Sequence, residues 1–316
     1  MSEIELHRKL LGDAVRNEAL AEALHRTIKP GCSVADLGAG TGFLSFLARK
    51  LGAGHCHLYE YSGALALARE IAQRNGITGL TFVEAHSTQV ARPPKADVVI
   101  SETLGNFALE EGLLETLADA KRFLKPGGTL LPCGLSQFVA PVTSKRLQDE
   151  IDIWPHVGHA LDFSAARELS LNNMYVRTVK PADLPGKAAA RLWDEIDFSP
   201  KAGVKLSSVR GGRVQWKAGE LGGTVHGFAL WWTAQLVPGV AITTSPFEAA
   251  THWEQVYLPL LEAASVEGSE VLELELGSDT RRGVDVSWNT SVRNGRVKRA
   301  GKALKAQRQE LSRGRL

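Results

Sequence analysis

Between residues 34 and 131 short apolar runs alternate with longer stretches in which apolar residues recur at helical spacing. The runs at 34–37, 56–60, 80–83, 97–101 and 128–131 predict strands, and those at 44–51, 64–75 and 111–123 predict helices. Strands joined through helices of this length need right-handed crossovers, so this half predicts a doubly wound, Rossmann-like α/β domain whose parallel sheet is covered on both faces. Past Pro132 the period falls to two. Leu272, Leu274 and Leu276 share one face and Glu273 and Glu275 the other, and Val284, Val286 and Trp288 repeat the pattern. Arg210-Gly211-Gly212-Arg213, between apolar runs at 204–209 and 214–216, predicts a hairpin turn, and Val237-Pro238-Gly239 predicts another. An all-β, barrel-like domain is therefore expected over 133–293, after an α/β domain over 1–132 with a short N-terminal helix. The stretch 145–170, with Trp154, Pro155, His156 and Phe163, is more helical and is expected to be an insertion protruding from the barrel. Trp231-Trp232, inside an apolar run, is expected to be core.

Composition narrows the class. With 316 residues, 44% hydrophobic and 23% charged, the chain is an ordinary globular protein, not a disordered, collagenous or coiled-coil one. Cys32, Cys56 and Cys133 are an odd number without a C-x-x-C pair, so they assemble neither a disulfide framework nor a cysteine zinc site, and a reducing compartment is expected. A charged segment from Met1 to Lys9 and the lack of an 18-residue apolar run point to a cytoplasmic protein with no membrane association. The net charge of +2 hides an asymmetry: residues 293–316 hold nine Lys or Arg and one Glu, a charge of +8, which leaves −6 on the rest. The basic tail, 294–316, has no interleaved aromatics and is expected to be a solvated arm, not a nucleic-acid contact.

The chemistry starts at Asp36-Leu37-Gly38-Ala39-Gly40-Thr41-Gly42, which follows a strand and opens a helix. Glycines there let the backbone approach a ligand that faces the helix amino end. A dinucleotide fingerprint would place its third glycine at 43, where Phe43 stands. Gly38, Gly40 and Gly42 instead resemble the S-adenosylmethionine loop of class I methyltransferases. Glu60, 24 residues after Asp36 and at the end of the second strand, is placed to accept hydrogen bonds from both ribose hydroxyls. A related fold with another ligand, or a tight turn with none, is the competing reading.

Glu102 and Glu111 flank Gly105-Asn106 after the strand at 97–101, at the sheet edge where such folds bind ligands. Nine residues apart, they face opposite ways on any regular element, so they converge only if the chain reverses between them, with Glu111 then opening the next helix. Two carboxylates in one pocket repel unless one is protonated or a cation lies between them, and a guanidinium is planar, always charged and able to bind both. Two exposed acids with no shared function are the alternative. His55, His57, His156, His159 and His226 have no metal-ligand spacing, and no metal is expected.

Three further stretches extend the picture: His7-Arg8-Lys9-Leu10-Leu11-Gly12-Asp13-Ala14-Val15-Arg16, the segment from Glu102 to Glu111, and Thr251-His252-Trp253. With the order of domains, they resemble the protein arginine methyltransferase family from about His7 to about Gly295. The resemblance implies that Glu102 and Glu111 clamp the substrate guanidinium beside a His252–Asp13 pair. It also implies that Arg16 binds the cofactor's methionine carboxylate, Glu60 its ribose and Ser87 the region of its adenine, and that Trp253 shapes the substrate entrance. The insertion at 145–170 stands where the family carries a dimerisation arm, which implies a head-to-tail homodimer. Departures are a Tyr-Phe-x-x-Tyr helix ahead of His7 that is expected to be missing or rebuilt, Leu10 and Leu113 where methionines are usual, and Ser87 where an acid is usual beside the adenine. The expected activity is S-adenosylmethionine-dependent methylation of arginine in a protein or peptide. Methylation of free arginine or another small guanidine is the alternative, and a non-catalytic regulatory partner a more distant one. The Arg313-Gly314-Arg315 tail is itself a conceivable substrate.

Overall fold

A computed structural model describes residues 3–199 and 206–294, together with two short strands at 301–303 and 307–308. Two N-terminal helices, α1 (Glu3–Gly12) and α2 (Ala14–Thr27), precede a parallel sheet. Its strands are β1 (Ser33–Leu37), β2 (His55–Tyr59), β3 (Leu80–Val83), β4 (Ala96–Ile100) and β5 (Leu124–Leu131), joined in part by α3 (Phe43–Lys50), α4 (Ala64–Arg74) and α5 (Leu113–Ala120). The strand order is β3-β2-β1-β4-β5, and every neighbour is parallel. The order switches direction between β1 and β4, where Asp36 lies beside Ile100. The loops that leave these two strands therefore open onto the same edge of the sheet.

At the end of this half the elements differ from expectation. Helix α5 stops at Ala120, and β5 begins at Leu124 instead of Gly128. A register shift between Ala96 and Val98 accommodates Pro126, Gly127 and Gly128 within the strand.

The second half begins with β6 (Gly134–Val142), followed by α6 (Arg146–Ile151), α7 (Ser164–Leu171), β7 (Tyr175–Arg177), β8 (Arg191–Asp197) and β9 (Val209–Lys217). It continues with β10 (Val225–Val237), β11 (Val240–Thr243), β12 (Gln255–Ala264), β13 (Glu270–Asp279) and β14 (Asp285–Asn294). One antiparallel sheet runs β7-β12-β10-β6-β8, with β11 on β10, and a second pairs β9 with β13 and β13 with β14. The sheets share a core in which Trp216 stacks on Phe228 at 5.7 Å. Leu272, Leu274 and Leu276 face it, each burial contributing about 2 kcal/mol. Glu273, on the opposite face, is buried as well, because Gln215 and Arg293 each approach its carboxylate to 2.7 Å.

The hairpin expected at Arg210-Gly211-Gly212-Arg213 does not form. Strand β9 runs straight through all four residues, and 204–205, the start of the run at 204–209 expected to form the other arm of the hairpin, lie outside the described residues. The glycines serve a close approach instead of a turn: a Cβ on Gly212 would lie 2.0 Å from the Trp193 carbonyl oxygen on β8. The Val237-Pro238-Gly239 turn does form, with Gly239 at φ +80°. In the basic tail, the strands Gly301–Ala303 and Gln307–Arg308 pair with β14, and the rest of 295–316, including Arg313 to Arg315, lies outside the described residues.

Between β6 and β7, α6 and α7 form the insertion. Arg146 anchors it by donating Nε and Nη2 to the Asp183 carboxylate, at 3.2 and 2.5 Å. Beyond that anchor Ile153, Val157, Leu161 and Leu169 are exposed. One apolar cluster runs without a break from the parallel sheet into the β domain, and it sets the relation between the two halves of the site.

Candidate active site

The loop after β1 and the later turns of α1 form one wall of a cavity of about 300 Å³. Gly38, Gly40 and Gly42 all have positive φ. At Gly40 the requirement is steric as well, because a Cβ would come within 2.8 Å of the His7 ring, which α1 lays over the loop. Glu60 supports the loop from behind: Gly40 N–H donates to Oε2 at 3.0 Å and Ser62 N–H to Oε1 at 2.8 Å. Asp36, fully buried, accepts the Ser45 hydroxyl at 2.7 Å, and burial pushes its carboxyl up to about 6.

The loop after β4 brings the acids. Glu102 is buried with Arg16 (side chains 4% and 7% exposed); Arg16 donates Nε to Glu102 Oε2 at 2.8 Å and Nη2 to the same oxygen. Glu111 lies exposed at the cavity mouth, two residues ahead of α5 and outside the helix it was expected to open. Crowding by protein atoms, and after it the charges of Glu102 and Glu110, raise its carboxyl above the ordinary range. The reversal between them folds around Glu110, whose carboxylate accepts the Asn106 and Phe107 N–H groups and lies where a Cβ on Gly105 would be, at 2.4 Å.

The β domain closes the other side. Asp13 caps α2 by accepting the Arg16 N–H at 2.9 Å with Oδ1, while Oδ2 accepts both the main-chain N–H and Nδ1–H of His252 at 2.7 Å. Burial raises the Asp13 carboxyl, but these three hydrogen bonds outweigh it and hold the group below its ordinary value. Burial likewise lowers the His252 imidazole, and Asp13 offsets this in part. Trp253, expected at the entrance, is buried, and its Nε1–H donates to the Leu104 carbonyl at 2.7 Å.

Arg16, Asp36, Gly38, Gly40, Glu102, Glu111, His252 and Trp253 line the cavity together. Asp13 lines an adjoining groove, whereas Gly42, Glu60 and Ser87 do not reach the cavity surface. Ser87 is buried on the turn Ser87–Gln89, with its hydroxyl unpartnered among the described residues. Three residues were given no part at the site from the sequence: His7, Glu110 and Trp232, the last expected only as core, whose Nε1–H donates to the Gly105 and Asn106 carbonyls. The Glu110-Glu111 doublet was the one signal that could have directed attention to Glu110. His7 and Trp232 act through residues distant in the chain.

A glycine loop at the switch point of a parallel sheet, an acid behind it and two further acids in front define a methyltransferase-type domain joined to an antiparallel β domain. Residues 28–168 match the methyltransferase domain model, and residues 136–294, half of the chain, match the arginine methyltransferase oligomerization subdomain. Protein arginine N-methyltransferase 6 of Xenopus tropicalis is 30% identical over 285 residues, 84% of this chain and 81% of that protein. Protein arginine N-methyltransferase 1 of Dictyostelium discoideum is 28% identical over 288 residues, 86% and 80% of the two chains. The Trypanosoma brucei PRMT1 enzyme-prozyme heterotetrameric complex with AdoHcy shares the fold at a TM-score of 0.81 and 24% identity, over 96% of this chain and 98% of that one. Arabidopsis thaliana protein arginine methyltransferase 10 does so at 0.78 and 20%, over 96% and 97%. The chain belongs to the protein arginine N-methyltransferase family.

Proposed function

We propose that this protein transfers the methyl group of S-adenosylmethionine to a guanidino nitrogen of arginine in a protein or peptide. The observation that carries the reading is the placement of Glu102 and Glu111 in one cavity with the Gly38–Gly40 loop and the His252 imidazole. The residues suit the cofactor: the loop at Gly40 is kept clear of any Cβ, Glu60 presents its carboxylate to the same loop, and the buried Ser87 hydroxyl awaits a partner. When bound, the cofactor supplies an electrophilic sulfonium methyl. In this reading Arg16 meets its carboxylate, Asp36 and the glycines shape the loop that cradles it, Glu60 holds its ribose and Ser87 lies toward its adenine.

An arginine side chain is fully protonated at pH 7, so the enzyme must act on the cation in place. Glu102 and Glu111 hold the guanidinium by charge and hydrogen bonds, which concentrates the positive charge on the nitrogens they contact and aims the remaining one at the methyl. The proton has to leave by the end of the reaction. Because Asp13 is ionised and accepts from His252 Nδ1–H, neutral His252 carries its lone pair on Nε2 and can take that proton directly or through water. Residues 1–132 would then bind the cofactor, while 133–293 supply His252 and the substrate face.

The match to an oligomerization subdomain and the exposed apolar residues of the arm at 145–170 support a homodimer. Three free cysteines support a reducing, cytoplasmic setting. The test is incubation with labelled S-adenosylmethionine and, in parallel, an Arg-Gly peptide, free L-arginine and a cell proteome. Label on peptide or protein is expected, and label on free arginine alone would replace this reading with small-molecule methylation.

A further inference from the structure

The loop at 101–112 carries both glutamates yet belongs to no helix or strand, so its position has to be set by other contacts. Within the loop, Glu110 binds two main-chain N–H groups. The start of the loop is held from the α/β domain, where Arg16 donates to Glu102 and Ser101 N–H donates to the Leu131 carbonyl at 2.9 Å. The ties to the reversal itself come from the β domain and end on Leu104, Gly105 and Asn106: Trp253 Nε1–H donates to the Leu104 carbonyl, and Glu254 N–H donates to Asn106 Oδ1 at 2.9 Å. Trp232 Nε1–H donates to two consecutive carbonyls, Gly105 at 3.1 Å and Asn106 at 3.2 Å, where the chain reverses between the acids.

Trp232 is built to hold that place. It is 1% exposed near the middle of β10, and its ring meets Trp253 edge-on at 5.0 Å. Its own backbone is pinned on both sides, because its N–H donates to Thr244 Oγ1 at 3.1 Å and its carbonyl accepts the Thr244 N–H at 2.9 Å. The alternation of the strand sends its neighbour Trp231 to the other face, against Phe138 and Phe247. Of the two adjacent tryptophans, one therefore packs the arm side and the other reaches the loop.

We propose that Trp232 is a positioning residue: its indole N–H, shared between the Gly105 and Asn106 carbonyls, sets the spacing of Glu102 and Glu111 for the guanidinium. The proposal rests on the function given above. A buried indole N–H finds an acceptor in most proteins, so a loss of stability alone would not distinguish this role from packing. Trp216 provides the comparison. It is buried in the same core and donates Nε1–H to the Ala189 carbonyl at 2.6 Å, away from the loop.

The experiment compares Trp232→Phe with Trp216→Phe by amide hydrogen exchange over 101–112, by kcat and KM for an Arg-Gly peptide, and by cofactor dissociation constant. Trp232→Phe is expected to speed exchange in the loop about tenfold and to lower kcat about tenfold, with cofactor affinity kept within about threefold. Trp216→Phe is expected to lose comparable thermal stability while loop exchange and kcat stay within about twofold. Unchanged loop exchange in Trp232→Phe, or a kcat equal to that of Trp216→Phe, overturns the proposal. Faster loop exchange in a protein whose parent methylates no guanidine would support the positioning and overturn the function instead. If Trp232→Phe does not fold, the benzothienyl analogue at 232 retains the bicyclic shape without the N–H, with the same results expected.

Discussion

Asp13 and His252, 239 residues apart in the chain, are joined by two hydrogen bonds to a single carboxylate oxygen, one from the main-chain N–H and one from Nδ1. The other Asp13 oxygen caps α2. One carboxylate thus ties the first helices to the Thr-His-Trp loop and fixes the tautomer of the imidazole.

The pH profile follows from that bond. Burial lowers His252 below its ordinary 6.5, so the base form prevails at pH 7, and activity is expected to fall only as pH drops through the depressed value. Asp13→Asn removes the charge that favours the imidazolium, so the acid limb should move to still lower pH while the plateau falls about 100-fold. The helix cap survives, since Asn serves there as well as Asp. Profiles of kcat against pH check this: a limb moving upward in Asp13→Asn would contradict it, and a limb that survives His252→Gln would belong to Glu111.

The two acids should separate in their effects on stability. Glu102→Ala leaves the Arg16 guanidinium buried without its partner and is expected to cost about 3–5 kcal/mol, whereas Glu111→Ala, at the exposed mouth, should cost less than about 0.5 kcal/mol. Urea unfolding measures both. Glu111→Gln should keep cofactor affinity and lower kcat by about 100- to 1000-fold, and unchanged turnover would remove the clamp.

At the glycine loop the steric argument predicts coupling. Gly40→Ala places a Cβ 2.8 Å from the His7 ring at φ +51°, and cofactor affinity is expected to fall by about 1–3 kcal/mol. His7→Ala in the same chain should recover the part due to collision and leave the part due to the left-handed backbone. Calorimetric titration of the four proteins with S-adenosylhomocysteine closes the cycle, and strict additivity would show that the ring is not the obstacle.

For the arm, the wild-type chain is expected to sediment at twice its 34.1 kDa. Leu161, 63% exposed, and Leu169, 56% exposed, are the positions to charge. The pair Leu161→Glu and Leu169→Glu should yield the monomer mass with the helical signal unchanged, because neither side chain packs in the core. A double variant that remains dimeric would place the interface elsewhere.

Much of this protein is legible locally. Period and turn chemistry are properties of neighbouring residues, so the alternation of runs before Pro132, the two-residue period after it and the glycine loop could be read directly from the chain. Even the need for a reversal between Glu102 and Glu111 followed from their spacing alone. The Gly211-Gly212 hairpin failed for a related reason: a glycine pair marks a turn or a close backbone approach equally well, and the nearby Trp193 carbonyl that decides between them belongs to another strand.

Partner choice is the part that local pattern cannot carry. The apolar run around Trp231-Trp232 announced burial, and both tryptophans are buried, but which indole meets the carbonyls of a loop some 126 residues earlier depends on strand register and on how the two domains pack. The same holds for Arg16 on Glu102 and His7 over Gly40, contacts between residues far apart in the chain that form only once the N-terminal helices pack against the loops leaving β1 and β4. The sequence by itself determined the elements, the two-domain order and the chemical types at the site. The tertiary structure alone decided which of those groups touch, because hydrogen bonds and ion pairs form between neighbours in space, and a folded core makes neighbours of residues that are remote along the chain.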